Sequence, residues 1–341
     1  MLETTLKGIA EEYLEDSNLI DNIFIDVDGW IRPLIKNWMN EIPQALNSTM
    51  KRCLDLDKEF HPIEKEKVFY SSSIMDLFAF INSRFVFFTS FPSDKIKSEY
   101  SSYFISNLVK SIEKYFEIVN SSIGRQLKEN ELDPFDHMEI TMEIFDKTIL
   151  KKKKYELLPM NDMIKRILNL QSRTKLLVMI NNAIYAKEKL IEFESRVKFY
   201  LPSTLVISNL QNHLQSLIDS YIQYFGIKVV YCDIKSSFIE NLYIPNASVS
   251  NLVRIGNQVL DPILNDIVSG MPFDYVNLIV HSFFLTLVRV YEKILLGATR
   301  KRKYYPNNTE IILEDIDYLE NLFSRKDSTS FGLSPDCNFI L

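Results

Sequence analysis

Glycine and proline are scarce in this sequence, which has 8 glycines and 12 prolines among its 341 residues. Because these residues interrupt helices or shape tight turns, their scarcity favours long helices over the many turns of an all-β domain. Cysteine is rarer still: Cys53, Cys232 and Cys337 are far apart and odd in number. The sequence therefore indicates neither a disulfide framework nor a zinc site, and it predicts a reducing compartment.

An excess of basic charge is also lacking, since the formal net charge is −6. This balance argues against nucleic acid as a partner, because nucleic-acid binding needs a basic surface. The first 22 residues carry acidic side chains and lack the apolar run of a signal peptide. The best candidate for a membrane span, residues 275–288, is uncharged but falls short of the roughly 20 residues that a span needs. We interpret it as a buried core helix.

The chemistry of an active site is not visible in the sequence. None of the four histidines, His61, His137, His213 and His281, has a second His or a Cys at metal-ligand spacing. A phosphate-binding glycine loop and a Gly-x-Ser-x-Gly motif are both absent. We therefore predict no catalytic residue, no cofactor, no metal site and no enzymatic activity. An unrecognised enzyme would require a concave pocket with convergent titratable groups.

The strongest positive signal is a pair of helical patterns between residues 69 and 119. The first has one apolar face, made of Ile74, Leu77, Phe78, Ile81, Phe85 and Phe88. Ser73, with Asp76 three residues later, predicts a capping box at its start. Pro92 ends this pattern, and a second one begins near Asp94. Its apolar face consists of Phe104, Leu108, Ile112, Tyr115 and Val119. The two patterns predict an antiparallel helical hairpin.

Helical patterns cover most of the remaining chain, so the predicted fold class is all-α. The predicted helical segments are 3–20, two segments between 25 and 56 divided at Pro43, 161–193, 203–224, 248–269, 273–296 and 309–323. Residues 57–68 are predicted to form a loop. Residues 227–231 favour a strand locally, but a lone strand is unstable, so we predict a loop or a helix that overrides this propensity.

Four further features of these segments are predicted. Trp30, Leu34, Ile35 and Trp38 form the predicted apolar face of the first segment after residue 25. Asn181 and Asn182 either lock a helix against a neighbour through buried amides or face solvent. The pair Asp261-Pro262 predicts a kink or break. Ile312, Ile316, Leu319 and Phe323 are predicted to point inward on the last helix.

The predicted domain organisation has two helical bundles. The first spans residues 1–128 and the second spans residues 161–325. Between them, residues 129–160 form a polar connection that includes four consecutive lysines at 151–154, interpreted as a solvated loop. Residues 326–341 are predicted to be a mobile tail.

A basic and aromatic cluster follows the most apolar helix and is one candidate contact surface. It consists of Arg300, Lys301, Arg302, Lys303 and Tyr304. Cationic residues beside aromatic ones suit an anionic membrane or an acidic partner. The alternative is that these cations only complement the dipole of the preceding helix.

Phe87 is a second candidate, because it lies off the main apolar stripe of its helix. In that position it either contacts the hydrophobic face of a partner helix or belongs to a second packing face within the protein.

Three blocks of sequence occur in the order found in one known family. The first covers residues 38–119 and contains Cys-Leu-Asp-Leu-Asp at 53–57 and Ser-Ser-Ile-Met-Asp-Leu-Phe at 72–78. The second is Leu-Val-Met-Ile-Asn-Asn-Ala at 177–183, and the third is Val-Leu-Asp-Pro-Ile-Leu at 259–264 followed by an apolar helix. The first and third blocks resemble the two Munc-homology segments of the MUN domain in the Munc-thirteen family. The closing block, 305–335, looks most similar to plant and fungal members.

The resemblance implies both a fold and a role. MUN domains are elongated rods of stacked antiparallel helical bundles, similar to subunits of vesicle-tethering complexes, and are not enzymes. They bind SNARE proteins, help to open the syntaxin-type SNARE and promote vesicle priming and fusion. By this resemblance we expect an exocytosis adaptor that binds syntaxin-type SNAREs or tethering subunits. Its expected location is cytoplasmic and peripheral, at the plasma membrane or the vesicle membrane.

Two departures from full-length members limit what is carried over. By the resemblance, we expect the sequence to correspond to the C-terminal half of a MUN rod without the diacylglycerol-binding and calcium-dependent phospholipid-binding modules, as either a fragment or a reduced protein. No syntaxin-contact residue of the family is assigned to a position here. The alternative function is a peripheral membrane or cytoskeletal scaffold that acts through the basic cluster.

Overall fold

The computed structural model describes residues 27–58, 60, 62–63, 68–91, 93–124, 173–200, 204–234, 238, 242, 251–295 and 308–324. The α-helices are α1 (Val27–Leu56), α2 (Ser72–Thr89), α3 (Asp94–Gly124), α4 (Arg173–Val197), α5 (Leu205–Lys228), α6 (Asn251–Ile255), α7 (Asp261–Gly270), α8 (Phe273–Leu295) and α9 (Asn308–Ser324). Two π-helical turns are π1 (Val229–Asp233), after α5, and π2 (Gly256–Leu260), between α6 and α7. Two short strands, β1 (Pro62–Ile63) and β2 (Val68–Ser71), pair with each other. The predicted all-α class is confirmed, while the predicted helix 3–20 and tail 326–341 lie outside the described residues.

The described chain divides into two compact units. Unit 1 comprises the described residues within 1–59, 71–118 and 185–214, and unit 2 comprises those within 60–70, 119–184 and 215–341. Neither unit is continuous in sequence, because α3, α4 and α5 each contribute residues to both. The predicted connection at 129–160 lies outside the described residues, so the predicted boundary and the rod shape stay predictions.

Helix α1 of unit 1 runs through Pro33 and Pro43 without a break, so the predicted division at Pro43 is wrong. An internal proline removes a backbone hydrogen bond and costs about 3 kcal/mol or more. A buried stripe that continues on both sides of Pro43 and packs along α2 offsets this cost. The stripe consists of Ile35, Met39, Ile42, Leu46, Met50 and Cys53. Leu34, predicted to share this face, is 69% exposed instead.

Helices α2 and α3 form the predicted antiparallel hairpin in unit 1. Phe88, near the end of α2, stacks on Phe104, near the start of α3, with ring centroids 4.6 Å apart. At the opposite end of the hairpin, the hydroxyl oxygens of Ser73 and Tyr115 lie 2.8 Å apart. All four side chains are fully buried. The hairpin is therefore fixed by aromatic stacking at one end and by a hydrogen bond at the other.

The β1–β2 ribbon replaces part of the loop that was predicted across residues 57–68. Strand β2 begins with Val68, Phe69 and Tyr70, the β-branched and aromatic types that suit strands. Pro62 is the first residue of β1, a position at which a strand tolerates the missing N–H of proline.

Asn181 of α4 ties this ribbon to helix α7 within unit 2. Its Nδ2 donates hydrogen bonds to the backbone oxygens of Phe69, at 3.0 Å, and Gly270, at 2.8 Å. Asn181 is 2% exposed and Asn182 is 1% exposed. Of the two predicted alternatives, the structure therefore shows buried amides, and Asn181 bonds to neighbouring backbone as that alternative required.

Helix α5 continues to Lys228 and passes directly into π1. Residues 227–231 are therefore helical, and the alternative of a loop is wrong. Burial explains why the local strand propensity is overridden, since Ile227 and Val230 are at most 2% exposed. The Nζ of Lys228 lies 2.7 Å from Oδ1 of Asp233, so an ion pair between residues five apart spans the π turn.

The predicted interruption near Pro262 takes the form of π2, which ends one residue before Asp261. A π turn inside a helix changes the hydrogen-bond spacing locally without ending the helix. Gly256 opens this turn, and a Cβ atom there would overlap the ring of Tyr318 from α9. Glycine is therefore required for the close approach of α9 to π2.

Helix α8 was predicted to be a buried core helix, and one of its faces is buried. That face consists of Val276, Ile279, Val280, Phe283, Phe284, Leu287, Val290 and Tyr291. Among the described residues, α8 is the one helix long and apolar enough by composition to cross a membrane, and 44% of its most apolar window is buried. Leu278 and Leu285 are each 50% exposed, so the other face of α8 is apolar but uncovered by described residues.

Helix α9 is rotated relative to its predicted orientation. Ile311, Asp315, Leu319, Leu322 and Phe323 are buried. The predicted inward residues Ile312 and Ile316 are only half-buried, so the prediction holds for Leu319 and Phe323 alone. Asp315 is 0% exposed, although an acidic side chain is expected on the solvated face of a helix.

Candidate interaction cleft

A cleft of about 350 Å³ opens in unit 1 between α2, α3 and α4. Its floor is apolar and consists of Phe78, Ile81, Leu108, Val109, Ile112, Leu190 and Phe193, all buried. Its rim is largely polar and consists of Met75, Asn82, Tyr185, Lys189, Glu192 and Arg196. An apolar floor with a few polar groups at the edge is the usual composition of a protein binding site.

The spacing of residues on two helices builds the cleft. Met75, Ala79 and Asn82 follow one another by four and three positions on α2, and Lys189, Glu192 and Arg196 follow one another by three and four on α4. Residues at these separations lie on one face of a helix. Each helix therefore presents one row to the cleft, while the adjacent row packs into the core.

Arg196 and Asn82 join the two rows. Nη1 of Arg196 donates a hydrogen bond to Oδ1 of Asn82 at 2.7 Å, and the guanidinium lies 4.7 Å from the ring centroid of Phe85. Phe85 in turn meets Phe193 edge-on, with ring centroids 4.9 Å apart. The exposed polar pair thus rests on two buried aromatic rings, which hold it in a defined position at the rim.

The other end of the rim is also charged and aromatic. Nζ of Lys189 lies 2.8 Å from both carboxylate oxygens of Glu192 and 5.7 Å from the ring centroid of Tyr185. Tyr185 meets Phe78 edge-on at 5.7 Å. The cleft can therefore accept apolar side chains on its floor and polar or charged groups at both ends of its rim.

A buried polar network supports α2 below the cleft. Oδ2 of Asp57 accepts a hydrogen bond from the backbone N–H of Ser73 at 3.0 Å. The Oγ of Ser73 lies 3.0 Å from the Oγ of Ser71 and 2.8 Å from the phenol oxygen of Tyr115. The predicted capping box of Ser73 with Asp76 is therefore wrong. Ser71 is the N-cap residue, and the carboxylate that serves the first turn comes from Asp57 because the fold brings the end of α1 to this point.

Phe87, the predicted hydrophobic contact, is 49% exposed on the far side of α2 from its buried stripe. Its ring lies 5.0 Å from that of Trp38 and 5.4 Å from that of Phe91. Phe87 therefore packs within unit 1 through one face and presents the other to solvent. Whether it binds a partner stays a prediction.

The predicted basic cluster, Arg300 to Lys303 with Tyr304, lies outside the described residues. Within the described ranges, no group of three or more His, Cys, Asp and Glu side chains is placed to hold a metal ion.

Sequence reasoning did not single out the cleft. Asn82 lies four residues after the motif at 72–78, but Arg196 lies 114 positions away, and no local pattern connects the two. An exposed Asn one turn before the buried Phe85 was the only signal on α2, and it is shared by many ordinary helices.

Comparison with known proteins supports the resemblance. The family described as the MUN domain matches residues 2–240. A second family, described as PATROL1-like, TPR repeats, matches residues 157–330. The curated protein named Protein unc-13 homolog, from Arabidopsis thaliana, is 21% identical over 323 residues. That match covers 87% of this chain but only 29% of the relative. The chain belongs to the MUN domain family.

Proposed function

We propose that this chain is a non-enzymatic MUN-type adaptor in vesicle exocytosis. It binds helical segments of SNARE proteins, of the syntaxin type above all, or of tethering-complex subunits, and so promotes vesicle priming and fusion. It acts in the cytoplasm, peripherally at the plasma membrane or the vesicle membrane. Membership of the MUN domain family and the similarity to an unc-13 homologue support this proposal.

The observation that carries the proposal is the cleft between α2, α3 and α4 in unit 1. Its apolar floor suits the hydrophobic stripe of an amphipathic helix, which is how helical partners bind to grooves. Its rim carries Lys189 and Arg196 of one charge and Glu192 of the other, so the polar flanks of a bound helix find partners of both signs.

The mechanism that follows is a shift of population. A SNARE that alternates between a closed and an open state exposes its helix only when it is open. A cleft that binds the exposed helix, and not the closed form, raises the open fraction by its difference in affinity for the two states.

The test is the binding of the full chain to the cytosolic regions of syntaxin-type and synaptobrevin-type SNAREs. Asn82→Ala and Arg196→Glu should each weaken binding about tenfold or more, the size of a single hot spot. Arg52→Glu changes the same charge on an exposed part of α1 and should leave binding intact. Saturable binding that both cleft variants leave unchanged would place the interaction elsewhere.

The scaffold alternative predicts a different outcome. Alanine substitution of Arg300, Lys301, Arg302 and Lys303 should then abolish flotation with acidic liposomes, and the cleft variants should have no effect. Liposome binding without any SNARE binding would count against the adaptor.

A further inference from the structure

A second concave surface lies in unit 2, independent of the cleft described above. It is a groove of about 430 Å³ between α5 and α8. Ile222 and Ile227 of α5 are buried in its floor, at 5% and 2% exposed. Leu278 and Leu285 of α8 line it and are each 50% exposed. The two leucines are seven residues apart, which places them on one face of α8 and two turns apart.

The exposed leucines belong to α8, the one described helix that is long and apolar enough by composition to cross a membrane. Helix α8 has a window apolar enough to cross a membrane, of which 44% is buried. A buried row packs into unit 2, and the leucine row is left over on the groove side. An apolar row of this kind beside a groove is typical of a surface that binds another protein segment.

The relative direction of α5 and α8 determines which of their residues lie at the same end of the groove. The hydroxyl of Ser282 donates to the backbone oxygen of Ile222 at 3.4 Å. One turn later on α5, a Cβ atom on Gly226 would lie 3.1 Å from the backbone oxygen of Ser282 and also 3.1 Å from Oγ1 of Thr286, one turn later on α8. The contacts advance in the same direction along both helices. The start of the groove therefore lies near Leu278 and its end near Ile227.

Opposite charges mark the two ends. Asp219 lines the groove on α5 at its start, one turn before Gln223, and Arg289 lines it on α8 at its end, one turn after Leu285. Both side chains are exposed. Oδ1 of Asp219 accepts a hydrogen bond from Nε2 of Gln215 at 2.8 Å, which orients the carboxylate and leaves its charge in place. Between the ends, Gln223, His281, Ser282 and Thr286 provide polar groups.

We propose that the groove between α5 and α8 binds an amphipathic α-helix of a partner protein in one fixed direction. The apolar row of that helix packs on Leu278 and Leu285, and its N-terminal end lies at Asp219 with its C-terminal end at Arg289. The helix dipole requires this direction, because its N-terminal end carries partial positive charge and its C-terminal end partial negative charge. A basic residue in the first turn and an acidic residue in the last turn complete the match.

The charges at the two ends of the groove favour a helix over a membrane surface as the bound partner. An anionic lipid surface would attract Arg289 but be repelled by Asp219, and a neutral one would leave both charges desolvated without a charge of opposite sign. A helix with opposite charges at its ends satisfies both residues.

The experiment uses two designed peptides of the same composition, both held helical by a side-chain staple. Each has leucines at positions i, i+3 and i+7. The first has lysine in its first turn and glutamate in its last turn, and the second has the two exchanged. Fluorescence anisotropy with the full chain should show the first peptide binding roughly fivefold more tightly, as expected for two partly exposed charge contacts.

Variants of the groove make the test specific. Leu278→Glu and Leu285→Glu should each reduce binding of the first peptide about tenfold or more. Leu313→Glu, at a leucine that is 58% exposed on α9, is the matched control and should bind as the unmodified chain does. Exchanging the end charges, Asp219→Arg with Arg289→Glu, should reverse the preference between the peptides. Because this reversal compares two peptides on the same variant, a loss of stability in that variant cannot produce it.

Three results would overturn the proposal. One is equal binding of both peptides in the unmodified chain and in the exchanged variant. Another is flotation of the chain with neutral liposomes that Leu278→Glu abolishes while peptide binding is absent, which would assign the leucine row to a membrane. The third is a concentration-dependent dimer in sedimentation that Leu285→Glu abolishes, which would assign it to a second copy. Asn82→Ala and Arg196→Glu, the variants of the cleft in unit 1, should leave all these measurements unchanged. The proposal for the groove and the proposal for the cleft can therefore fail independently.

Discussion

The carboxylate of Asp57 accepts a hydrogen bond from the backbone N–H of Ser73 across 16 positions of sequence. Asp57 follows the end of α1, and Ser73 lies in the first turn of α2, so the end of one helix satisfies a free donor at the start of the next. Asp57 is 8% exposed and Ser73 is fully buried. This contact, rather than a local capping box, fixes the start of the helix that forms one wall of the cleft.

We expect Asp57→Ala to lower the free energy of unfolding by about 1–2 kcal/mol, the usual cost of removing a capping side chain. Part of that cost arises because the buried N–H of Ser73 loses its acceptor. Asp55→Ala, at an exposed position in the last turn of α1, is the control and should cost much less. Urea denaturation of both variants measures the difference, and equal effects would show that the Asp57 contact contributes no stability.

Phe87 and Phe88 are neighbours in sequence with opposite environments, and their substitutions should differ accordingly. Phe88 is fully buried and stacks on Phe104, so Phe88→Ala should cost about 3–5 kcal/mol through the cavity that it leaves. Phe87 is 49% exposed, so Phe87→Ala should cost about 1 kcal/mol through the area lost against Trp38. Denaturation midpoints that are equal for the two variants would contradict this assignment of faces.

The hairpin could be predicted from sequence because periodicity alone determines which residues face the core. All six residues of the predicted stripe on α2, from Ile74 to Phe88, are at most 8% exposed. The local rule that proline interrupts a helix failed at Pro43, where a continuous buried stripe on α1 outweighs the local cost of proline. At residues 227–231 the structure shows the helix, one of the two predicted alternatives, because burial in unit 2 overrides the strand propensity of Ile227 and Val230. Local propensity is a weak predictor when tertiary packing opposes it.

The candidate cleft could not be predicted because its parts come from distant segments. Arg196 meets Asn82 across 114 positions, and Phe193 meets Phe85 across a similar separation. Periodicity gives the face of each helix but does not give which faces meet. Helical periodicity supplied the fold class, and the family resemblance assigned no contact residue, so the site depends on the structure alone.

Glu194 should show a pKa below its ordinary value of 4.5. The main cause is a hydrogen bond from the side chain of Thr204, followed by those from Gln211 and Ser208, which together outweigh the effect of burial. Gln211 Nε2 lies 2.9 Å from Oε2 of Glu194. Because the pKa is lowered in the folded state, these bonds contribute stability in full above pH 4.5 and lose it as the pH falls through the folded-state pKa.

Thr204→Val removes the largest of these contributions and should raise the pKa of Glu194 towards 4.5. An NMR titration of the Glu194 side chain measures this directly. Thr174→Val, at an exposed position near the start of α4, should leave the titration unchanged. A Glu194 pKa that is the same in the chain with and without Thr204 would show that its hydroxyl makes no such bond in solution.

Gly226 allows α5 and α8 to approach each other closely, so Gly226→Ala should change the free energy of unfolding. A Cβ atom there would lie 3.1 Å from the backbone oxygen of Ser282 and from Oγ1 of Thr286. Alanine favours the helix by about 1 kcal/mol over glycine, but overpacking costs about 1–3 kcal/mol. We expect a net loss of about 1 kcal/mol in the free energy of unfolding. His213→Ala, at an exposed position of α5, should be neutral or slightly stabilising, and a gain of stability in Gly226→Ala would mean that the helices separate freely.

Substitution of Asn181 tests the hydrogen bonds that join α4 to the β1–β2 ribbon and to α7 in unit 2. Its amide nitrogen faces the backbone oxygens of Phe69 and Gly270, so Asn181→Asp places a carboxylate oxygen against two acceptors. The buried charge should cost about 3 kcal/mol or more at neutral pH. Burial also raises the pKa of the new carboxyl in the folded state, so the protonated form is favoured there. The loss should therefore be small below the unfolded-state pKa of about 3.9 and should grow as the pH rises. Asn265→Asp, at an exposed position of α7, is the control and should show no such pH dependence. Urea denaturation between pH 4 and pH 8 measures the free energy of unfolding of both variants. If the two free energies change with pH in the same way, the Asn181 amide is not held between the two carbonyls.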